Sequence, residues 1–327
     1  MTKTLQPTNH YCKSPLNYIG GKYKILPQLL PLFPAQSDIF LDLFCGGCNV
    51  GINIENLALQ NSNTTKHLMP QAQKLIFNDN LTYLIDLYKY LQCNALETTL
   101  QAIDNIISKY KLDLQNAQGY CLLRDDYNAH KSPILLFVLI AFSFNHQIRF
   151  NNAHKFNNPF GKNRSSFNPA MRNHLINFVK ALQNKPITFS SLNFEKALDS
   201  VALNRQSFVY ADPPYLITQG TYNDGKRGFS GWNEQLEKRL LYSLKFLDSQ
   251  GIKFALSNVL SHKGKHNEIL QQWIHTNDYV VYCIQSHYTN ANYQTKYKDK
   301  NLTKEVLITN YESSKALYTG DSHALYW

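Results

Sequence analysis

Between residues 39 and 51 the chain runs Ile39-Phe40-Leu41-Asp42-Leu43-Phe44 straight into Cys45-Gly46-Gly47-Cys48-Asn49-Val50-Gly51. The first six residues are almost wholly apolar and read as a buried strand carrying one acid. The glycines permit a tight turn out of that strand and into a helix. A near-continuous apolar strand needs cover on both faces, which an open, mostly parallel sheet sandwiched between helices provides.

The rest of the chain repeats the alternation. A helix is expected from Tyr23 and another from Leu81 to Leu91; Leu75-Ile76-Phe77 makes a second strand that ends at Asn78-Asp79. Further strands are expected near Ile187, at Phe208 to Tyr210, Phe254 to Ser257, Tyr279 to Ile284 and Glu305 to Thr309. Strand, glycine-rich turn and helix in this order open a Rossmann-like unit. From about Leu96 the texture turns helical, and after Phe144 it becomes polar and dense in Asn, Phe, His and cations. The expected architecture is therefore α/β: a Rossmann-like sheet formed by 1–89 and 176–327, interrupted by an inserted, mainly helical module at 90–175. No internal repeat is present.

A second acid ends a strand at Tyr210-Ala211-Asp212-Pro213-Pro214-Tyr215. Two prolines cannot continue the strand, and they leave carbonyl acceptors on a stiff loop beside a carboxylate and an aromatic ring. That grouping suits a grip on a planar ring by its amino group, and ligands of open α/β sheets bind outside the carboxyl ends of the strands. An Asp-Pro turn with a packed tyrosine is the plain alternative.

At 327 residues the chain is long enough for a full core, and 43% hydrophobic content marks it as globular. Its net charge is +10 with only 17% charged residues, so acids are scarce and a polyanionic partner is favoured. Cys12, Cys45, Cys48, Cys93, Cys121 and Cys283 are scattered, and no signal peptide is read at the start, so a cytoplasmic location is expected. Cys45 and Cys48 have C-x-x-C spacing but no second pair, and the histidines form no ligand set, so no metal is expected. Ile134 to Phe144 is too short to span a bilayer and reads as a buried helix.

A nucleoside-bearing cofactor in such a sheet needs close backbone approach at the first turn and an acid after the second strand. Gly46, Gly47 and Asp79 meet this, although Asp79 lies further along than the roughly 20 residues of the dinucleotide fingerprint. The polar stretch from Glu55 to Lys74, read as an extended helix and loop, accounts for the excess. No G-x-x-x-x-G-K-[ST] signature exists, so phosphate chemistry fits poorly. A sulfonium cofactor such as S-adenosyl-L-methionine suits a pocket edged by Asp42, Asp79 and Asp212.

Tyr18-Ile19-Gly20-Gly21-Lys22, then Phe40 to Gly47, Asp79 and Asp212-Pro213-Pro214-Tyr215, in that order, resemble the Dam-like group of DNA adenine-N6 methyltransferases. So do Asn145 to Asn151 with Phe156 to Lys162, which look like that group's target-recognition segment, and Lys304 to Tyr311, which looks like its closing motif. The resemblance implies that Tyr18, Lys22, Asp42, Phe44, Gly46, Gly47, Asp79 and Asp212 line the S-adenosyl-L-methionine pocket. It implies that Asp212, Pro213, Pro214 and Tyr215 form the catalytic loop that holds a flipped adenine, and that Arg149 reads a guanine. The family usually has glycine where Cys48 stands, which is expected to tighten the methionine end of the site.

On this reading a short site in double-stranded DNA is methylated, in a restriction-modification system or by an orphan methylase. A cognate restriction endonuclease acting separately is left open as a partner, and no membrane is expected. Asn145, Arg149, Asn151, Lys155, Lys162 and Arg164 are the candidate DNA contacts; Lys155, Lys162 and Arg164 suit phosphates and Arg149 a base edge. The competing readings are another amino acceptor (RNA adenine, cytosine N4 or a protein glutamine) and a DNA-binding regulator without turnover.

Overall fold

The computed structural model describes residues 11–57, 69–218, 231–285 and 303–313. Its strands are β1 (Gln36–Asp42), β2 (Glu55–Asn56), β3 (Gln71–Asn78), β4 (Ile187–Ser190), β5 (Phe208–Ala211), β6 (Lys253–His262), β7 (Lys265–His266), β8 (Val280–Ile284) and β9 (Thr303–Thr309). The helices are α1 (Leu26–Leu29), α2 (Thr82–Cys93), α3 (Leu96–Lys109), α4 (Ala117–His130), α5 (Pro133–Phe142), α6 (Pro169–Gln183), α7 (Phe194–Asp199), α8 (Glu234–Ser249) and α9 (Glu268–Asn277). The strands form one sheet of order β2-β3-β1-β5-β6-β9-β8, with β4 also paired to β3 and β7 to β6.

Pairings among β1 to β6 are parallel, whereas β9 runs antiparallel between β6 and β8. The start of β9 therefore lies at the same edge as the carboxyl ends of its parallel neighbours. The chain leaves β1 for β3 on one side and reaches β5 on the other, so β1 and β5 flank a topological switch point.

Alternate residues of each strand face opposite layers. Phe40, Phe77, Phe208, Tyr210 and Leu307 enter one buried cluster with Tyr88, Ile103, Tyr120, Phe137 and Phe178 from α2 to α6. Leu41, Val209, Ala211, Val306 and Ile308 enter the other with Phe194, Leu240, Leu244 and Leu270 from α7, α8 and α9. The helices within 90–175 thus share one continuous core with one face of the sheet. α5 is apolar all round because it lies inside that core, with Leu136, Phe137, Val138, Leu139 and Ile140 buried.

Three local expectations differ from the structure. The helix read from Tyr23 is broken into a 3-10 turn, the short α1 and a second 3-10 turn, because Pro27 and Pro31 each remove a helical donor. After the glycine turn there is no full helix but a single 3-10 turn, Gly51–Asn53. There the Asn53 side chain donates to the carbonyls of Asn49 (2.8 Å) and Cys12 (2.9 Å), competing with the helical ladder. The stretch from Glu55 to Lys74 is not helical where it is described, since Glu55–Asn56 form β2 and Gln71 to Lys74 open β3; residues 58–68 lie outside the described residues.

Candidate active site

The carboxyl edge of the sheet gathers acids from three adjacent strands. Asp42 is the last residue of β1, Asp79 follows β3 and Asp212 follows β5. All three line a cavity of about 570 Å³ together with Tyr18, Lys22, Phe44, Gly46, Gly47, Pro213, Pro214, Tyr215 and Arg149. Asp42 and Asp212, 170 residues apart in the chain, are thus brought together by parallel strand pairing, Asp42 lying in register with Phe77 on one side and Tyr210 on the other.

The glycine turn is fixed from three directions. Asp79 accepts the Gly46 N–H at 3.0 Å and the Leu81 N–H at 2.9 Å, and the buried Tyr88 hydroxyl donates to the Gly46 carbonyl at 2.6 Å. Gly46 has φ +46°, a conformation that favours glycine, and a Cβ there would lie 2.8 Å from the Tyr18 ring. A Cβ on Gly47 would likewise meet the Tyr18 Cβ at 2.9 Å. The glycines admit Tyr18 as a cover over the turn, a packing role that the strand-turn reading did not include. Asn78 ties the neighbouring strand ends, donating to the carbonyls of Leu43 (3.1 Å) and Leu192 (3.0 Å).

Cys48 corrects an expectation. It does not line the cavity; it is fully buried, and its thiol turns toward Cys45 and Tyr88. It also holds φ +57°. Glycine is favoured there for its backbone, so cysteine carries a left-handed penalty of about 1–2 kcal/mol rather than narrowing the pocket.

The polar centre is built around Lys22, which is only 3% exposed. Its ammonium donates to the Gly20 carbonyl at 2.8 Å and pairs with Asp212 Oδ2 at 2.9 Å, with Glu305 Oε1 at 3.7 Å. It also lies over the Tyr215 ring, 5.0 Å from the centroid. The Tyr215 hydroxyl is 3.0 Å from Asp212 Oδ1 and 3.2 Å from Glu305 Oε1. Both Asp212 oxygens therefore already face a donor.

Burial pushes the carboxyls of Asp42, Asp79 and Asp212 above the ordinary aspartate range. At Asp42 the neighbouring Asp212 adds to the effect; at Asp79 the two backbone N–H groups oppose it; at Asp212 Lys22 opposes it while Glu305 adds. Asp42 Oδ2 accepts the Gly51 N–H at 3.2 Å, but its buried Oδ1 has no hydrogen-bond partner among the described residues. A cavity with this acid excess and an orphaned carboxylate oxygen fits a cationic ligand without phosphates.

Of the residues read as DNA contacts, Arg149 alone reaches the cavity wall, and its buried Nε has no partner among the described residues. Lys155, Lys162 and Arg164 are exposed on the same 143–168 loop, with the Arg164 guanidinium 5.0 Å from the Phe144 ring centroid. Asn151 holds the loop together: its Oδ1 accepts the N–H groups of Ala153 and Lys155, both at 3.0 Å. The Asn145 carbonyl accepts from Asn17 at 3.0 Å, tying the loop to the segment before Tyr18.

The motif reading named Phe44 but missed Phe194 and Trp232, which complete an aromatic wall with it. Phe44, Phe194 and Trp232 meet edge-on or tilted at 5.7–6.0 Å and line the same cavity as Asp79. Phe194 was findable as the apolar residue that opens α7 directly behind an Asn193 cap. Trp232 carries no local signal. Among the described residues no group of three or more His, Cys, Asp and Glu side chains is arranged to hold a metal, and no helix is long and apolar enough to cross a membrane.

The similarities to known proteins agree with this geometry. The chain is 45% identical over 306 residues to "Modification methylase StsI" of Streptococcus sanguinis, covering 94% of this chain and 44% of that protein. It is 43% identical over 304 residues to "Type II methyltransferase M.FokI" of Planomicrobium okeanokoites, covering 93% and 44%. Against "DNA adenine methylase" of Salmonella typhi it is 25% identical over 213 residues, 64% of this chain and 66% of that one. The chain therefore spans somewhat under half the length of the first two. Residues 18–313 match the family described as "D12 class N6 adenine-specific DNA methyltransferase", and the chain belongs to that family.

Proposed function

We propose that this chain methylates the N6 amino group of adenine in a short double-stranded DNA site, using S-adenosyl-L-methionine. The observation that carries the reading is Asp212, which together with Pro213 lines an acid-edged cavity. When bound, the cofactor supplies an electrophilic methyl on a sulfonium. Asp42, Asp79, Phe44, Tyr18 and the Gly46-Gly47 turn would hold it, the orphaned Asp42 Oδ1 offering an acceptor for its cationic end.

The adenine amino nitrogen is a poor nucleophile because its lone pair is delocalised into the ring. Asp212 and the Pro213 carbonyl accept its two hydrogens, which favours a tetrahedral nitrogen and directs the lone pair outward. The carboxylate would also stabilise the positive charge that grows on nitrogen as the N–C bond forms and the S–C bond breaks, before the nitrogen releases one proton to solvent. The remaining work is positioning. An adenine stacked in duplex cannot reach the cavity, so it must be flipped; Tyr215 stacks on it with the ring face opposite Lys22, offsetting an unstacking cost of a few kcal/mol.

Lys155, Lys162 and Arg164 contact phosphates, and Arg149 reads a guanine edge from the cavity wall. Asn145 and Asn151 hold the loop that carries them. On this reading 90–175 is the recognition insert of a domain formed by 1–89 and 176–327. The net charge of +10 supports a polyanionic substrate. The names of the similar modification methylases support a role in restriction-modification; the proposal adds a cognate endonuclease acting separately and a location in the cytoplasm, where the DNA is.

Arg149→Ala is expected to weaken binding to the cognate site and cut discrimination at one base pair by about 1–3 kcal/mol, with much smaller change on non-specific DNA. Binding titrations on a cognate duplex and its single-base variants check this; an unchanged preference moves the base contact to another residue. Purified protein incubated with methyl-labelled S-adenosyl-L-methionine and parallel DNA, RNA and protein substrates tests the reaction itself. Label confined to RNA or protein would overturn the proposal.

A further inference from the structure

Glu305 is a buried carboxylate beside this site that the mechanism above does not use. It opens the apolar run of β9, a strand otherwise buried among Val306, Leu307 and Ile308, and is itself only 2% exposed. A carboxylate in such a position is costly unless it is paired. Its Oε1 faces the Tyr215 hydroxyl at 3.2 Å and the Lys22 ammonium at 3.7 Å, while its Oε2 has no partner among the described residues.

These contacts set up a competition. Tyr215 has one hydroxyl proton and faces two carboxylates, Asp212 at 3.0 Å and Glu305 at 3.2 Å. When the proton goes to Glu305, an acceptor position on Asp212 is freed. The cluster of Asp212, Glu305 and Lys22 also holds two carboxylates against one ammonium, an excess of negative charge beside the place where a transferring amino nitrogen becomes positive.

We propose that Glu305 is a positioning residue for methyl transfer: it draws the Tyr215 proton and part of the Lys22 charge away from Asp212, leaving Asp212 a stronger acceptor for the substrate amino group. The inference rests on the adenine-methylation reading above. Because β9 is antiparallel, its early residues lie at the carboxyl edge of β6, where Glu305 pairs in register with Val259. The closing strand of the fold thereby delivers a carboxylate to a loop that follows β5.

The charged and titratable groups facing Asp212 are Lys22 from the first turn, Tyr215 from its own loop and Glu305 from β9, with Asp42 and Tyr210 coupled to it from β1 and β5. Glu305 raises the Asp212 carboxyl, so neutralising it lowers that carboxyl and extends activity to lower pH.

The test is steady-state methylation by the full chain carrying Glu305→Gln and, separately, Glu305→Asp. Glu305→Gln is expected to lower kcat about 10²-fold, with the KM for DNA and the affinity for S-adenosyl-L-methionine within threefold of wild type, and to move the acid limb of kcat to lower pH. Glu305→Asp, which keeps the charge, is expected to recover part of kcat and to leave the acid limb near wild type. A wild-type kcat and pH profile in Glu305→Gln would overturn the inference, as would parallel loss of kcat, cofactor affinity and thermal stability in both variants. If wild-type protein leaves adenine unmodified, the underlying reading fails instead and takes the inference with it.

Discussion

Alanine in place of Asp212 is expected to reduce methyl transfer to adenine by at least about 10³-fold while the protein remains folded. The carboxylate is placed both to accept an amino hydrogen and to meet the charge that develops on nitrogen, and residues 212–218 after β5 hold no other acid. The fold should survive for an electrostatic reason. Burial already pushes the Asp212 carboxyl up, so its ionised form costs folding energy, and Lys22 keeps its Gly20 carbonyl and Glu305 contacts after the change. Incorporation of labelled methyl groups into duplex DNA, alongside thermal unfolding, checks both halves; full activity in a folded variant would remove Asp212 from the mechanism.

The second large effect is expected at Asp79, on cofactor binding rather than transfer. Its carboxylate is the acceptor for the N–H groups of Gly46 and Leu81, so Asp79→Ala leaves two donors unmatched in a buried turn. Each such loss costs about 1–3 kcal/mol. Part should appear as lower stability in urea, and part as a loss of affinity for S-adenosyl-L-methionine of about 30-fold or more, since 1.4 kcal/mol is a factor of about ten. Calorimetric titration separates the two. Wild-type affinity in the variant would mean that the turn does not hold the cofactor.

The strands and their acids were legible because each depends on local chemistry. Apolar runs stopped by glycine, Asn-Asp or Asp-Pro-Pro mark strand ends, and parallel pairing then fixes which ends are neighbours. The helical breaks were less legible. Pro27 and Pro31 were visible, but the failure of a helix after Gly51 depends on Asn53 reaching the carbonyl of Cys12, a contact across 41 positions. Cys48 was noticed for its identity and misread for its place, since whether a residue has positive φ is set by the turn around it.

The site was legible in its members and not in its wiring. Lys22, Asp212 and Tyr215 could each be named from motifs, yet no spacing rule reveals that Lys22 pairs with Asp212 and lies over the Tyr215 ring. Glu305 was part of a quoted motif without a role, because it meets Tyr215 only through the antiparallel turn of β9, 90 positions away. Trp232 reached the cavity wall through packing on Phe44 and Phe194, which periodicity does not encode.

Whether the Asp212 loop presents its acceptors to an adenine amino group is decided by nucleoside analysis of methylated DNA. Duplex DNA is incubated with the purified chain and methyl-labelled S-adenosyl-L-methionine, digested to nucleosides and separated. The label is expected in N6-methyldeoxyadenosine and absent when Asp212 is alanine. Label in N4-methyldeoxycytidine, or DNA that is bound but never methylated, would contradict the account.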